Sequence, residues 1–369
     1  MEKVLSYFLM NNFWLKLSSV SGGKKPILAL APMAGVTDSA FRQISKYYGA
    51  DVVYTEMVSA DGLYYDSQKT LGLLKFKPSE HPVVIQLFGK NPATFAKAAK
   101  ICEDAGFDGL DINFGCPARK VVAHGGGVTL MRDLPRCREI IEAVFAGAKL
   151  PVSIKIRVSI NVIPISSFVI PAKAGIQKIN NWIPDQVRDD NFKKSKVTAI
   201  DLVRYIKDLP ISAIMVHGRP HENPFSAEID YEMIKAVKKE FSKSVSGGPG
   251  IVLGNGGIKT PQDAKIMIDK TGVDGLGLAR GLYGRPWLFK QIKDYLKDGE
   301  YQKFSTNEIK KVILRHAKFA LLDKGEYGLI ELRKHLLWYV AGWPEAKKLR
   351  GELVKVKNLA DIKKVLNNI

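Results

Sequence analysis

Short apolar, β-branched runs recur along the chain, and each is followed by a stretch with helical spacing of its apolar positions. The runs are Ile27–Met33, Val52–Val58, Val83–Gly89, Gly109–Gly115, Val152–Val158, Ala213–Arg219, Gly250–Gly257 and Gly275–Gly281. Most are continuous rather than alternating, as expected of parallel strands buried on both faces. The clearest helical stretches are Asp38–Tyr48, Pro92–Ala105, Leu134–Ala146, Val197–Leu209, Tyr231–Phe241 and Pro261–Lys270. Eight strand–helix repeats predict an α/β fold, a (β/α)8 TIM barrel. An open doubly wound sheet is the alternative. No Gly-x-Gly-x-x-Gly follows the first strand, which speaks against it.

From about Phe304 the pattern turns purely helical. Ile309, Val312, Ile313, His316, Phe319 and Ala320 form one apolar stripe, and Leu332, Leu336, Tyr339 and Val340 form another. They predict a C-terminal all-helical domain beside the barrel. The expected organisation is a leader over 1–26, a barrel over 27–300 and a helical domain over 301–369. Residues 159–196 fit no period and carry prolines 164, 171 and 184. A loop that long is uncommon inside a compact domain, so it reads as an insertion after the fifth strand. Met1–Leu17 is apolar, but Asn11-Asn12 interrupts it. It is too short and too polar to span a bilayer and shows no clean cleavage site.

Composition sharpens the class. The chain has 369 residues, 46% of them hydrophobic, enough for one large domain with an appendage. Its three cysteines, Cys102, Cys116 and Cys137, have no metal spacing; no metal is expected and a reducing, cytoplasmic setting fits. The formal charge of +19 is unusual for a small-molecule enzyme and points to a polyanion, nucleic acid ahead of membrane. Residues 302–369 carry 15 Lys/Arg against 7 Asp/Glu, so the tail is markedly basic.

In a barrel the chemistry sits at the C-terminal strand ends. Here those ends offer Pro32-Met33-Ala34, Glu56, Gln86, Asn113 with Cys116, Lys155 with Arg157, His217 with Arg219, Asn255-Gly256-Gly257, and Ala279-Arg280. Polar groups inside apolar strands need partners, and one bound polar ligand would serve them all. For any single residue a local hydrogen bond explains as much. Cys116 stands between Gly115 and Pro117, a placement suited to chemistry, although a free cysteine is also a small buried hydrophobe. The glycines at 256–257 and 281 suit a phosphate at the ends of strands seven and eight. A phosphate, an amide and a lysine together suggest flavin mononucleotide, with Lys155 near N1 of the ring. The alternative for Lys155 is a buried ion pair with Glu56 or Asp111.

Several ordered motifs resemble those of the tRNA-dihydrouridine synthases. They are Ala31-Pro32-Met33-Ala34-Gly35-Val36-Thr37-Asp38, Asp111–Pro117, Val216-His217-Gly218-Arg219, Gly254–Ile258, and Ala279-Arg280-Gly281 running to Gly284-Arg285-Pro286-Trp287. Arg333-Lys334-His335 with Trp338-Tyr339 extends the resemblance into the tail. It implies FMN-dependent reduction of uridine to dihydrouridine in tRNA, with NADPH or NADH reducing the flavin. By motif, FMN contacts Pro32, Met33, Ala34, Gln86, Lys155, His217, Asn255, Gly256, Gly257, Ala279 and Arg280. Cys116 is then the general acid: hydride reaches C6 of the uracil, and a thiol, mostly protonated at neutral pH, supplies C5. A nucleophilic thiolate is the rival role. Candidate RNA contacts are Arg333, Lys334, Lys347, Lys348 and Arg350. No obligate protein partner is expected. The alternatives are another FMN barrel oxidoreductase, of dihydroorotate or old-yellow type, and a non-catalytic tRNA-binding relative disabled by the insertion.

Departures from the family pattern set further expectations. Gly125-Gly126-Gly127 replaces a tighter pattern after Cys116 and should loosen that loop. Gly257 stands where aspartate is usual and Ala279 where glycine is; both act mainly through backbone N–H groups, so tolerance is expected. Pro220–Phe225 replaces a Thr-Arg run. The insertion resembles peptides translated from dispersed palindromic repeats and emerges on the active-site face. Loop entropy alone makes it a small cost, so the fold should survive it.

Overall fold

The computed structural model describes residues 12–20, 25–162, 196–242 and 250–368. Its strands are β1 (Ile27–Leu30), β2 (Val52–Ser59), β3 (Val83–Phe88), β4 (Gly109–Phe114), β5 (Val152–Arg157), β6 (Ser159–Asn161), β7 (Lys196–Thr198), β8 (Ala213–His217), β9 (Ile251–Asn255) and β10 (Gly275–Leu278). Eight of them close a parallel barrel in the order β1-β10-β9-β8-β5-β4-β3-β2. β6 and β7 form a separate antiparallel pair. Several strands end two or three residues before the apolar runs do. β1 stops at Leu30, β8 at His217 and β10 at Leu278, because the residues that follow leave the sheet as the turns that build the site.

Two apolar layers explain why most runs are continuous. Leu28, Leu30, Val53, Ile85, Leu110, Ile112 and Ile154 point outward into the helix layer. Ile27, Ala29, Ala31, Val52, Tyr54, Val84, Ala213, Met215, Ile251 and Leu253 fill the barrel. Helices on the outer layer start on side-chain caps: Asp38 accepts from Phe41 N, Asn91 from Ala93 N, and Thr260 pairs with Asp263 in a capping box.

The leader is more than an entry to β1. Residues 1–11 lie outside the described residues, but Phe13–Val20 is a helix whose Trp14 is fully buried with the barrel's inner cluster. Its indole lies 6.4 Å from the Tyr54 ring, and Asn12 Nδ2 donates to Ser212 Oγ at 3.1 Å. The segment therefore plugs the barrel at the end opposite the active-site mouth. The helix Leu288–Asp298 was not marked by the sequence pattern.

The tail begins with a helical stretch, Thr306–Tyr339, that breaks at Lys324 and Gly325. The His316 and His335 rings are 4.9 Å apart. On one straight helix, nineteen residues would separate them by about 28 Å, so the chain doubles back as a hairpin. The two expected stripes face each other inside it, with Val312, Ile313, Ala320, Leu332, Leu336 and Val340 buried. The hairpin docks on the helix Ser39–Tyr47 through Phe41, and Tyr283 stacks on Trp338 at 3.9 Å. Two further helices, Ala346–Leu353 and Leu359–Asn367, close the tail. No helix among the described residues is long and apolar enough to cross a membrane.

Candidate active site

Side chains on a strand alternate between faces, so every second residue points into the barrel. Along β4 the inward series is Gly109, Asp111, Asn113; along β5 it is Ser153, Lys155, Arg157; along β8, Ala213, Met215, His217; along β9, Ile251, Leu253, Asn255. Each series becomes polar toward the C-terminal end of its strand. The mouth is therefore lined by polar groups standing on an apolar floor.

Cys116 lies half-exposed one turn beyond β4. Asn113 Oδ1 accepts from the backbone N–H of Gly115 (3.1 Å) and Cys116 (2.8 Å). Arg157 Nε donates to Gly115 O at 2.8 Å. On the far side, Val128 N donates to Cys116 O at 3.1 Å. The glycine loop packs against this turn, which its composition does not reveal. Gly126 and Gly127 are buried, and Gly127 adopts φ +62 against the Cys116 carbonyl. His124, outside this packing, bonds the Lys120 carbonyl.

Next to this turn stands a group of cations. Lys155 has no hydrogen-bond or ion-pair partner among the described residues. Burial, and then the nearby Arg157, lower its ammonium to a pKa of about 8. Neither carboxylate offered for it pairs with it. Glu56 accepts from Gly35 N, and Asp111 is held by Gln86 and Ser153. Arg157, buried and lowered to about 10 by desolvation, donates from Nη1 to His217 Nδ1 at 3.2 Å. Arg219 N also donates to that nitrogen, at 3.3 Å. His217 Nδ1 is therefore an acceptor and Nε2 carries the hydrogen. Burial, then Lys155, Arg157 and Arg219, push the imidazole well below its ordinary pKa, so it is a neutral N–H donor at any working pH.

Beside His217 opens a cavity of about 260 Å³, lined in part by Arg219, Asn255, Gly256, Gly257, Lys259 and Arg280. Gly256 and Gly257 take φ +107 and +75, and a Cβ on Gly256 would come within 3.3 Å of His217 Nε2. The backbone there suits close approach by a ligand. The Arg280 guanidinium stacks over Phe225 at 5.3 Å. Among the described residues no carboxylate lines this cavity, so its charge suits an anion.

A family model for dihydrouridine synthase matches residues 29–179 and 184–369. A tRNA-dihydrouridine synthase B from Pseudomonas aeruginosa is 33% identical over 333 residues, 90% of this chain and 89% of its own. The tRNA-dihydrouridine synthase B of Shewanella oneidensis is 32% identical over 336 residues, 90% and 92% of the two chains. A probable tRNA-dihydrouridine synthase from Rickettsia conorii is 33% identical over 327 residues, 88% and 87%. This chain belongs to the dihydrouridine synthase family. Membership makes it a flavin-dependent oxidoreductase.

The dihydrouridine synthase barrel brings most of the expected residues to one mouth. His217, Asn255, Gly256, Gly257, Ala279 and Arg280 share the cationic cavity. Pro32, Met33 and Ala34 form the turn after β1, closed by Val36 N and Thr37 N donating to Met33 O, both at 3.0 Å. Gln86 is at the same end but 2% exposed, and both of its amide atoms bond to protein. In the tail, Lys347, Lys348 and Arg350 are exposed on one helix. Arg333 is half-buried, and its Nε and Nη2 donate to Val356 O at 3.0 and 2.7 Å, so it ties the hairpin to the chain that follows. Lys334 beside it is half-buried. Arg157 was named only as a strand end, and Asp111, Ser153, Lys259 and Arg285 were not placed among the site residues. The signal for Asp111, Ser153 and Arg157 was the period of two along β4 and β5, masked by the apolar residues between them; Lys259 and Arg285 lie in turns, where no such period exists.

Proposed function

We propose that this protein reduces a uridine of tRNA to 5,6-dihydrouridine, using FMN in the barrel mouth and NADPH or NADH as reductant. The observation that carries the reading is a half-exposed Cys116, pinned by Asn113 and Arg157, beside the unpartnered Lys155 ammonium and the cationic cavity. The residues fit the cofactor. Gly256 and Gly257 with Arg280 would hold its phosphate, His217 would donate through Nε2–H, and Lys155 would gain the anionic partner that it lacks among the described residues. When bound and reduced, FMN supplies the hydride for C6 of the uracil.

The chain's own residues do the rest. Negative charge then spreads from C5 to the C4 carbonyl oxygen of the uracil. Cys116 Sγ gives its proton to C5 and becomes a thiolate, later reprotonated from water. Arg157 Nε bonds the carbonyl of Gly115, next to Cys116, so a cation stands beside the turn that carries the thiol. Asn113 holds the turn that aims the thiol. Residues 301–369 serve as the tRNA-binding domain, with Lys347, Lys348 and Arg350 on backbone phosphates. Folded tRNA must release the target base from its stack to reach the mouth. A cytoplasmic location follows from that substrate.

Mass mapping of dihydrouridine in tRNA, with and without the gene, tests the reading. One site should vanish in the deletion; an unchanged map in a strain with no second family member would overturn it. Purified protein should be yellow. Flavin without tRNA binding would favour a small-molecule oxidoreductase, and colourless protein would favour a non-catalytic binder. Cys116→Ala should keep its flavin and lose turnover by about two to four orders of magnitude.

A further inference from the structure

A chain of side-chain hydrogen bonds runs across the barrel floor to the turn that carries Cys116. Asp111, fully buried, accepts from Ser153 Oγ through Oδ1 at 2.6 Å and from Gln86 Nε2 through Oδ2 at 2.6 Å. Gln86 Oε1 accepts from Asn113 Nδ2 at 2.8 Å. Asn113 Oδ1 accepts the backbone N–H groups of Gly115 and Cys116. A carboxylate can only accept, whereas an amide has one accepting and one donating end. Asp111 therefore requires the NH2 of Gln86, which leaves the Gln86 carbonyl for Asn113. Asn113 must then present its NH2 to Gln86 and its carbonyl to the turn. Reversing Gln86 would set its carbonyl against the Asp111 carboxylate and its NH2 against that of Asn113; reversing Asn113 would set its NH2 against the two backbone N–H groups and leave them without that acceptor.

We propose that Asp111 is a positioning residue whose acceptor-only carboxylate, acting through Gln86 and Asn113, sets the direction of both amides and thereby holds the Cys116 turn. Gln86 is then the middle of a relay, with a second N–H and a second lone pair of its amide left over for a ligand. Burial raises the Asp111 carboxyl to about 6, while Gln86, Ser153 and Lys155 hold it down, so it is ionised at neutral pH. The catalytic side of the proposal rests on Cys116 as proton donor; the turn's geometry does not.

The test reverses the polarity of the first link and then restores it. Asp111→Asn weakens the bias on Gln86. Gln86→Glu faces one carboxylate with another. In the double variant the amide introduced at position 111 donates to the carboxylate introduced at position 86. The second oxygen of that carboxylate still accepts from Asn113, so Asn113 keeps its direction. The measurements on flavin-loaded protein are kcat, KM for tRNA, FMN content and the rate of Cys116 alkylation by iodoacetamide. Cys102 and Cys137 are buried, so alkylation reports on Cys116. Each single variant should lower kcat by about tenfold or more at unchanged KM, and alter the alkylation rate. The double variant should return both to within about threefold of the parent, since the relay's direction is restored. A double variant slower than Asp111→Asn, or an Asp111→Asn protein matching the parent in all four readouts, overturns the relay. Should Gln86→Glu not fold, Asp111→Asn against the double variant decides alone. A Cys116→Ala protein that retained turnover would remove the acid assignment and leave the relay to stand on alkylation.

Discussion

Gly127 sits against the turn it supports. A Cβ there would lie 2.6 Å from Cys116 O and 2.9 Å from Val121 Cγ1, on a residue whose φ is +62. Gly127→Ala should destabilise the fold by about 1–3 kcal/mol and displace Cys116, seen as a lower Tm and a changed alkylation rate. Wild-type Tm and reactivity in that variant would show that the loop has slack after all. The place of Cys116 in the turn after a strand was legible from Gly115 and Pro117 on either side of it. The packing of Gly127 was not, because a run of glycines looks the same whether it is free or forced by close packing. In the same way a basic motif at Arg333 does not reveal that its guanidinium bonds a carbonyl twenty-three residues later.

At the scale of elements, the tail hairpin turns on two buried histidines. His316 Nδ1 meets Tyr339 OH at 3.1 Å, while His316 Nε2 and both nitrogens of His335 are buried without a hydrogen-bond partner among the described residues. Burial lowers His316 to about 4 and His335 well below its usual value. Both are neutral in the fold, and the unfolded chain protonates near pH 6.5. As pH falls below about 6.5 the unfolded state takes up protons that the fold refuses. Stability is therefore full above that pH and is lost toward pH 4 and beyond, by up to about 1.4 kcal/mol per pH unit for each histidine. His335→Leu removes two unpartnered nitrogens, so it should stay within about 1 kcal/mol of the parent at pH 7.5. Its acid limb should be shallower in Tm measurements from pH 8 to 4. Parallel limbs would mean that other groups govern the acid response. The apolar stripes of this hairpin could be read from spacing alone. The reversal at Lys324–Gly325 could not, because a lone glycine in a long helical pattern is compatible with a straight helix.

Across the whole molecule, the barrel was legible because strand–helix alternation is a long-range pattern that local misreadings do not erase. Residues 159–196 showed as a break in that period, but the manner in which they join the barrel could not be read. Ser159–Asn161 pairs antiparallel with Lys196–Thr198, with Asn161 opposite Lys196. The pair is tied to the site's own loops: His221 N donates to Ser159 O at 3.0 Å, and Arg132 Nε donates to Asn161 O at 3.0 Å. Residues 163–195 lie outside the described residues, yet both of their attachment points belong to one ladder. A chain that leaves and returns through paired strands can be shortened there without moving the barrel. Replacing residues 163–195 by Asn-Gly leaves a three-residue hairpin loop, Val162-Asn-Gly, with glycine at the position that wants a left-handed backbone. The shortened protein should bind FMN as the parent does and keep its Tm within a few degrees, since the packed elements are untouched. Its KM for tRNA then reports which of three roles the segment has. A fall means that it obstructs RNA at the mouth, no change means that it is passive, and a rise means that it adds contacts. Loss of flavin or of the cooperative melt would show that the β6–β7 ladder needs the segment, and that the site's loops depend on it.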